Sequence, residues 1–390
     1  MLVITASLLV CWCLPADENA TPTAQEVTIP FGGTDFKQYY TTSRLILEGS
    51  NPYDYDKAGK IQRELGEKGA TQVPYGPPTS LLPFIPLGWV DFLTAIQIQL
   101  GLNVGMLVIS CFLWGKMLYP ISNTMPLLSC IAVIAWIPCL SLFGMGHVTS
   151  WTLLGFTLWC FFQTQNKPWL AGICLALSII KPHLAFGMVV FAGVYGIRNR
   201  EWKMLAGFVL TVLVMILATW LIRPSIWHEF LGSIEQSNPT QWYNATLDGW
   251  GRFYFGPWFR VVSIAMSVSL LAWIVILAWK GGKNFPETCP LVLALWMAAT
   301  PYAFSYDYVL LLPGFLMAIG AWLHRSHPYW YVAIAGWMML DVVYVLKKGQ
   351  WYEYQFFFIP WGGLALTLFM LTPKATWSKP IPKQEKVPVA

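Results

Sequence analysis

Charge is scarce in this chain. Asp, Glu, Lys and Arg make up only 11% of its 390 residues, against 56% hydrophobic ones, and the mean hydropathy is +0.53. So apolar a composition excludes an ordinary soluble globular domain of this length. A basic stripe is missing too. The net charge of +5 is spread over many short loops, which argues against nucleic acid as a partner and suits orientation in a lipid bilayer. Polar loops carry no cysteine framework: seven of the eight cysteines lie inside apolar runs and Cys289 sits at the edge of another, so neither disulfides nor a zinc cluster are expected. The first fifteen residues lack a basic start and a small-residue cleavage pattern, so they read as a short first membrane span rather than a signal peptide. No internal repeat is visible.

What is present are long apolar runs and many aromatics, with 22 Trp and 17 Tyr, side chains that favour the membrane–water boundary. The pattern predicts an all-α, polytopic transmembrane bundle of about twelve spans, near residues 1–15, 92–115, 125–143, 149–162, 169–181, 183–197, 203–222, 258–279, 287–300, 308–323, 329–346 and 354–372. The pair flanking Lys181-Pro182 reads either as two helices or as one kinked element. With the N-terminus inside, the basic loops at Lys116, Lys167, Arg198 to Lys203, Lys280 with Lys283, and His324-Arg325 all fall on the cytoplasmic face; Lys347-Lys348 is the exception. Residues 1–372 then form one integral membrane domain and 373–390 a cytoplasmic tail. Two long segments, 16–91 and 223–257, are left outside. The second contains Ile226 to Leu231, which reads as a helix lying in the interface.

Ionisable groups against hydrocarbon are costly, so each needs a partner or a task. Four separate outer turns supply them: Asp35 in Asp35-Phe36-Lys37-Gln38-Tyr39-Tyr40, His147 after Gly146, Lys181-Pro182-His183, and Asp307 in Tyr306-Asp307-Tyr308. Together they read as one site on the non-cytoplasmic side. The proline-rich stretch from Gly49 to Leu87 favours turns and extended chain, fit to lie as a lid over a membrane-level cavity.

In order and spacing, Asp35-Phe36 with Tyr39-Tyr40, Gly49-Ser50-Asn51-Pro52-Tyr53, Tyr75-Gly76-Pro77-Pro78, Lys181-Pro182 and Pro301-Tyr302 through Ser305-Tyr306-Asp307 resemble the polyprenol-phosphate-mannose-dependent mannosyltransferases of glycosyltransferase family 87, in the GT-C superfamily. The similarity covers about residues 30–315. One turn departs from the pattern, reading Gly146-His147 where Gly-Gln is expected. The resemblance implies a polyprenyl-phosphate-linked sugar donor, mannose or another sugar, a glycan or glycolipid hydroxyl as acceptor, and transfer outside the cytoplasm, with a bacterial inner membrane as the setting. It also implies that Asp35 is catalytic. Tyr39, Tyr40, Asn51, Tyr53, Tyr75, His147 and Asp307 are expected to bind substrate, with Asp307 equally open to a role as partner of Lys181.

The chemistry leads the same way from below. Glycosyl transfer off a phosphate needs a base for the incoming hydroxyl, while phosphate leaves with little acid help, so one carboxylate suffices where a glycosidase uses two. Asp35 is expected to be that base in an inverting single displacement. Lys181, His183, Arg252 and Arg260 would hold the departing phosphate. Neither a cofactor nor a metal ion is required. A transporter or lipid-linked sugar flippase stays open as the alternative, since polar groups at broken helices also mark substrate pathways.

Overall fold

The computed structural model describes residues 34–67, 71–74, 76–120, 122–236, 244–280, 285–324, 329–347 and 353–371, and every regular element among them is helical. The expected first span, Tyr75 and the C-terminal tail lie outside the described residues. The elements are α1 (Thr34–Leu47), α2 (Tyr55–Glu64), α3 (Phe92–Leu118), α4 (Met125–Cys130), α5 (Ala132–Ala135), α6 (Ile137–Met145), α7 (Thr149–Thr164), α8 (Pro168–Leu177), α9 (Pro182–Asn199), α10 (Trp202–Ile222), α11 (Ile226–Gln236), α12 (Leu247–Phe255), α13 (Phe259–Lys280), α14 (Phe285–Ala299), α15 (Leu312–His324), α16 (Trp330–Lys347) and α17 (Phe358–Leu371).

Five stretches are long and apolar enough to cross a bilayer: α3, α10, α13, residues 305–323 including most of α15, and α16. The pair α4–α5 with α6, bent by 62°, makes a sixth if taken as one span. The other described positions where spans were expected hold shorter or less apolar helices, among them α8, α14 and α17. Burial sorts the five into layers. The segment 305–323 is 83% buried and forms the centre, whereas α10 is 11% and α13 17% buried, so these two turn Val, Leu and Ile faces outward where lipid would stand.

Small residues let the backbones approach. A Cβ on Gly172 of α8 would run into the Met204 carbonyl of α10, and one on Gly187 of α9 would meet the Trp296 ring of α14. The bend before α6 has a definable cause. Trp136 is extended and Pro138 lacks an amide, so the helix breaks; the freed Ile137 amide donates to Asp341 Oδ1 at 3.1 Å, and Trp136 Nε1 donates to the Tyr308 carbonyl at 3.1 Å.

The two helices flanking Lys181 are separate rather than one kinked rod. After α8 the chain tightens into a 3-10 turn over Ser178–Ile180, Lys181 leaves helical geometry, and α9 restarts with Pro182 in its first turn, where a missing amide costs nothing. The expected interfacial segment is helical as α11, and the proline-rich stretch forms 3-10 turns at Pro78–Leu81 and Ile85–Trp89. The segment after Gly33, by contrast, is regular helix, α1 and α2, where no helix was expected.

Basic ends and site ends are opposed. α7 starts beside His147 and, at 1.5 Å per residue, carries Phe161 about 18 Å away, where the Lys116 ammonium lies over its ring. α9 likewise starts at Lys181 and ends at Arg198, which stacks over Trp279 at the end of α13.

Candidate active site

Asp35 sits in the first turn of α1, and the rest of that helix is an anchor. Phe36 stacks on Phe92 with ring centroids 6.3 Å apart, Tyr39 packs on Phe84 at 4.8 Å, and the Tyr40 hydroxyl donates to the Val90 carbonyl at 2.9 Å. The apolar face thus fixes where the carboxylate stands. Asp35 opens onto a cavity of about 1040 Å³ whose wall also includes Tyr39, His147, Lys181, His183, Arg252, Arg260, Tyr302, Tyr306 and Glu353.

Gly146 ends α6 in the left-handed region at φ 65°, which only glycine adopts without strain, and so turns His147 inward. The imidazole stacks on the Tyr306 ring at 4.2 Å, places Nδ1 3.0 Å from the Thr149 hydroxyl and brings Nε2 to 3.9 Å from Asp35 Oδ2. Burial, then the neighbouring Lys181 charge, drives its pKa well below the ordinary value. The imidazole beside Asp35 is therefore neutral, and no ion pair forms. Asp35 Oδ2 has no hydrogen-bond partner among the described residues. Burial raises its pKa to about 6, with the Tyr306 hydroxyl and the Lys181 charge pulling the other way and Asp307 and Glu353 adding to the rise.

Lys181 is already committed. Its ammonium donates to Asp307 Oδ1 at 2.7 Å and to Thr149 Oγ1 at 3.3 Å, and it lies over the Tyr306 ring at 5.4 Å. Asp307 is fully buried; its Oδ1 also accepts from Thr149, and its Oδ2 accepts the Phe304 amide at 3.0 Å. Asp307 thus stands behind Lys181 and off the cavity wall. Of the two roles expected for it, acceptor binding or partner of Lys181, this geometry is that of the partner. His183 does line the cavity, T-shaped to Tyr302 at 5.2 Å, with a buried Nε2 that has no partner among the described residues.

The other wall comes from α12 and α13. Asp248, almost fully buried, accepts from Arg252 Nε at 2.7 Å and from the Ser263 hydroxyl at 2.6 Å, and Arg260 Nη2 lies 3.6 Å from it. Two guanidiniums thus stand beside one carboxylate in this wall. Here an anion such as a phosphate finds forked donors.

Of the expected residues, the structure gathers Asp35, Tyr39, His147, Lys181, His183, Arg252 and Arg260 round one space. Tyr40 is not among them, because its ring packs on Phe92 and its hydroxyl is spent on backbone. Asn51 and Tyr53 line a second cavity instead. Sequence reasoning missed Asp248, whose only signal was its i,i+4 spacing to Arg252, and Glu353, which accepts from the Ser305 amide and hydroxyl at 3.0 Å each. It gave no role to Tyr302 or Tyr306. Among the described residues, no three His, Cys, Asp or Glu side chains gather as metal ligands.

No curated protein and no solved structure matches the chain. The model of glycosyltransferase family 87 matches residues 75–301, a segment that contains His147, Lys181, His183, Asp248, Arg252 and Arg260 and leaves Asp35 and Asp307 on either side. Since that segment is more than half of the sequence, the chain belongs to glycosyltransferase family 87 and is a multi-pass membrane glycosyltransferase.

Proposed function

We propose that the protein moves a hexose, mannose on the sequence resemblance, from a polyprenyl-phosphate donor to a hydroxyl of a glycan or glycolipid. The acceptor oxygen attacks the anomeric carbon as the carbon–oxygen bond to phosphate breaks; that bonding pair leaves on the phosphate, and Asp35 takes the hydroxyl proton. A single displacement inverts the anomeric centre. The observation that carries this reading is the Asp35 carboxyl in the cavity wall, its buried Oδ2 without a hydrogen-bond partner among the described residues and its proton affinity lifted to about 6. A carboxylate so tuned is a better base than an exposed one and is still ionised at neutral pH.

Arg252 and Arg260 suit the phosphate, which becomes more negative as it leaves, and the imidazole of His183 adds a polar contact. Lys181 contributes field more than contact, because Asp307 holds it. The cavity belongs on the non-cytoplasmic face in this reading, which agrees with the basic ends of α7 and α9 lying at their far ends. The test is purified protein in lipid with radiolabelled mannosyl-phosphoryl-polyprenol and a mixed glycolipid acceptor pool, wild type beside Asp35→Ala. Label reaching acceptor only in wild type supports the reading. No transfer from several sugar donors would turn it towards a transporter or flippase.

A further inference from the structure

A second cavity, of about 430 Å³, lies between the turn that opens α2 and one face of α11. Its volume falls within the roughly 300–1,000 Å³ of small-molecule sites. The walls are held in place. Arg223 donates to Glu229 at 2.8 Å and to the Gly49 carbonyl at 2.7 Å, which pins α11 to the turn, and Tyr53 packs on Phe230 with centroids 5.5 Å apart. Tyr53 also joins the two cavities: its ring lines the second, while its hydroxyl donates at 3.4 Å to the carbonyl of Gly76, a residue in the wall of the first.

The chemistry of the lining narrows the ligand. Among the described residues no Lys or Arg lines it, so a phosphate finds no cation among them to pair with, in contrast to the Arg252 and Arg260 wall. Its carboxylates are poorly disposed for a cation, because Asp54 caps α2 by accepting the Asp56 and Lys57 amides at 3.1 Å and Glu229 is bound by Arg223 and Ser225. What remains is the exposed pair Asp56 and His228 beside the rings of Tyr53 and Tyr55. Acceptors and donors at a rim, with the half-buried Tyr55 beside them and the buried Tyr53 in the wall, match a neutral polyol, whose hydroxyls both donate and accept while its C–H face is apolar.

We infer that this second cavity is a glycan subsite, holding sugar units of the acceptor beyond the reacting one while the lipid-phosphate donor occupies the first cavity. The inference rests on the transferase reading above. Its test uses linear mannotriose as probe, with binding to the full-length protein in lipid nanodiscs followed by saturation-transfer NMR, in wild type and in the Asp56→Ala/His228→Ala double variant. Both side chains are exposed, so the fold should survive, and a thermal melt checks that it does. Two lost hydrogen bonds of about 1 kcal/mol each predict roughly thirty-fold weaker binding. Equal binding by the variant, or none by wild type, overturns the subsite. Donor turnover is assayed in the same preparation: its absence while trisaccharide binding stays sensitive to the double variant would sink the transferase reading, and with it the acceptor role, while leaving the cavity a glycan-binding site.

Discussion

Replacing Asp35 with Asn keeps the size of the side chain and removes the base, so stability and catalysis should move in opposite directions. The side chain is 14% exposed, its Oδ2 lacks a partner among the described residues, and its pKa is raised from 3.8 to about 6 by burial. Between those values the unfolded chain has released this proton while the folded protein still holds it. Folding stability therefore falls as pH rises through that window and stays reduced above it. The displacement is worth about 3 kcal/mol at neutral pH. Asp35→Asn escapes that cost and should melt higher than wild type at pH 7.5, with the gap closing towards pH 4. Transfer should meanwhile drop by about two to four orders of magnitude, the usual worth of a positioned base. In wild type kcat/KM should rise through an acidic limb near pH 6, and the donor cannot supply that limb because a phosphodiester keeps one charge throughout. The assays are melting curves in nanodiscs from pH 4 to 8 and initial rates of label transfer over the same range. Normal turnover by Asp35→Asn, or a wild-type rate flat from pH 5 to 7, would refute the reasoning.

Lys181→Met leaves Asp307 as an uncompensated buried charge and should cost about 4 kcal/mol, read as a lower melting temperature, with Lys181→Met/Asp307→Leu recovering most of it; a wild-type melt for the single variant would show that the pair is not structural. Arg260→Gln removes a half-exposed guanidinium from the cavity wall and should raise the donor KM about ten-fold with little change in melting, a donor titration being the check. Gly172→Leu forces α8 away from the Met204 backbone of α10 and should destabilise by about 2 kcal/mol, visible as a loss of heat-resistant protein after mild heating in detergent. Tyr40→Phe removes the bond to the Val90 carbonyl and the long one accepted from Arg44 Nη1, both away from the cavity, and should leave transfer unchanged, which rate measurements would settle.

The parts of this protein that were legible in its sequence are those where one residue decides one thing. Lys181-Pro182 marked a helix break because proline has no amide, and Asp35, His147 and Lys181 stood out because ionisable groups beside apolar runs are expensive. Partnership was not legible, because it is settled by distances between helices far apart in the chain. Asp307 read equally as an acceptor-binding group or as the partner of Lys181, and only the 2.7 Å approach of the two, 126 residues apart, decides for the pair, while Asp35 Oδ2 has no partner among the described residues. Asp248 was silent for a related reason: its neighbours Thr246 and Leu247 make it look like an ordinary first-turn acid, and only the fold of α12 onto α13 shows it gathering Arg252, Arg260 and Ser263. Length misled in its own way. An apolar run measures hydrophobicity and not straightness, so the count of twelve spans divides into long helices that meet the length of a bilayer and short ones, such as α14, buried from Cys289 to Ala299, and α8, buried at Ala171, Leu175 and Ala176 but exposed at Trp169, Leu170 and Ile173. It is the turns that follow α8 and α14, at Lys181 and near Tyr302, that bring polar groups to the cavity. The same broken elements that blur a span count are what allow a charged site to form in so apolar a chain.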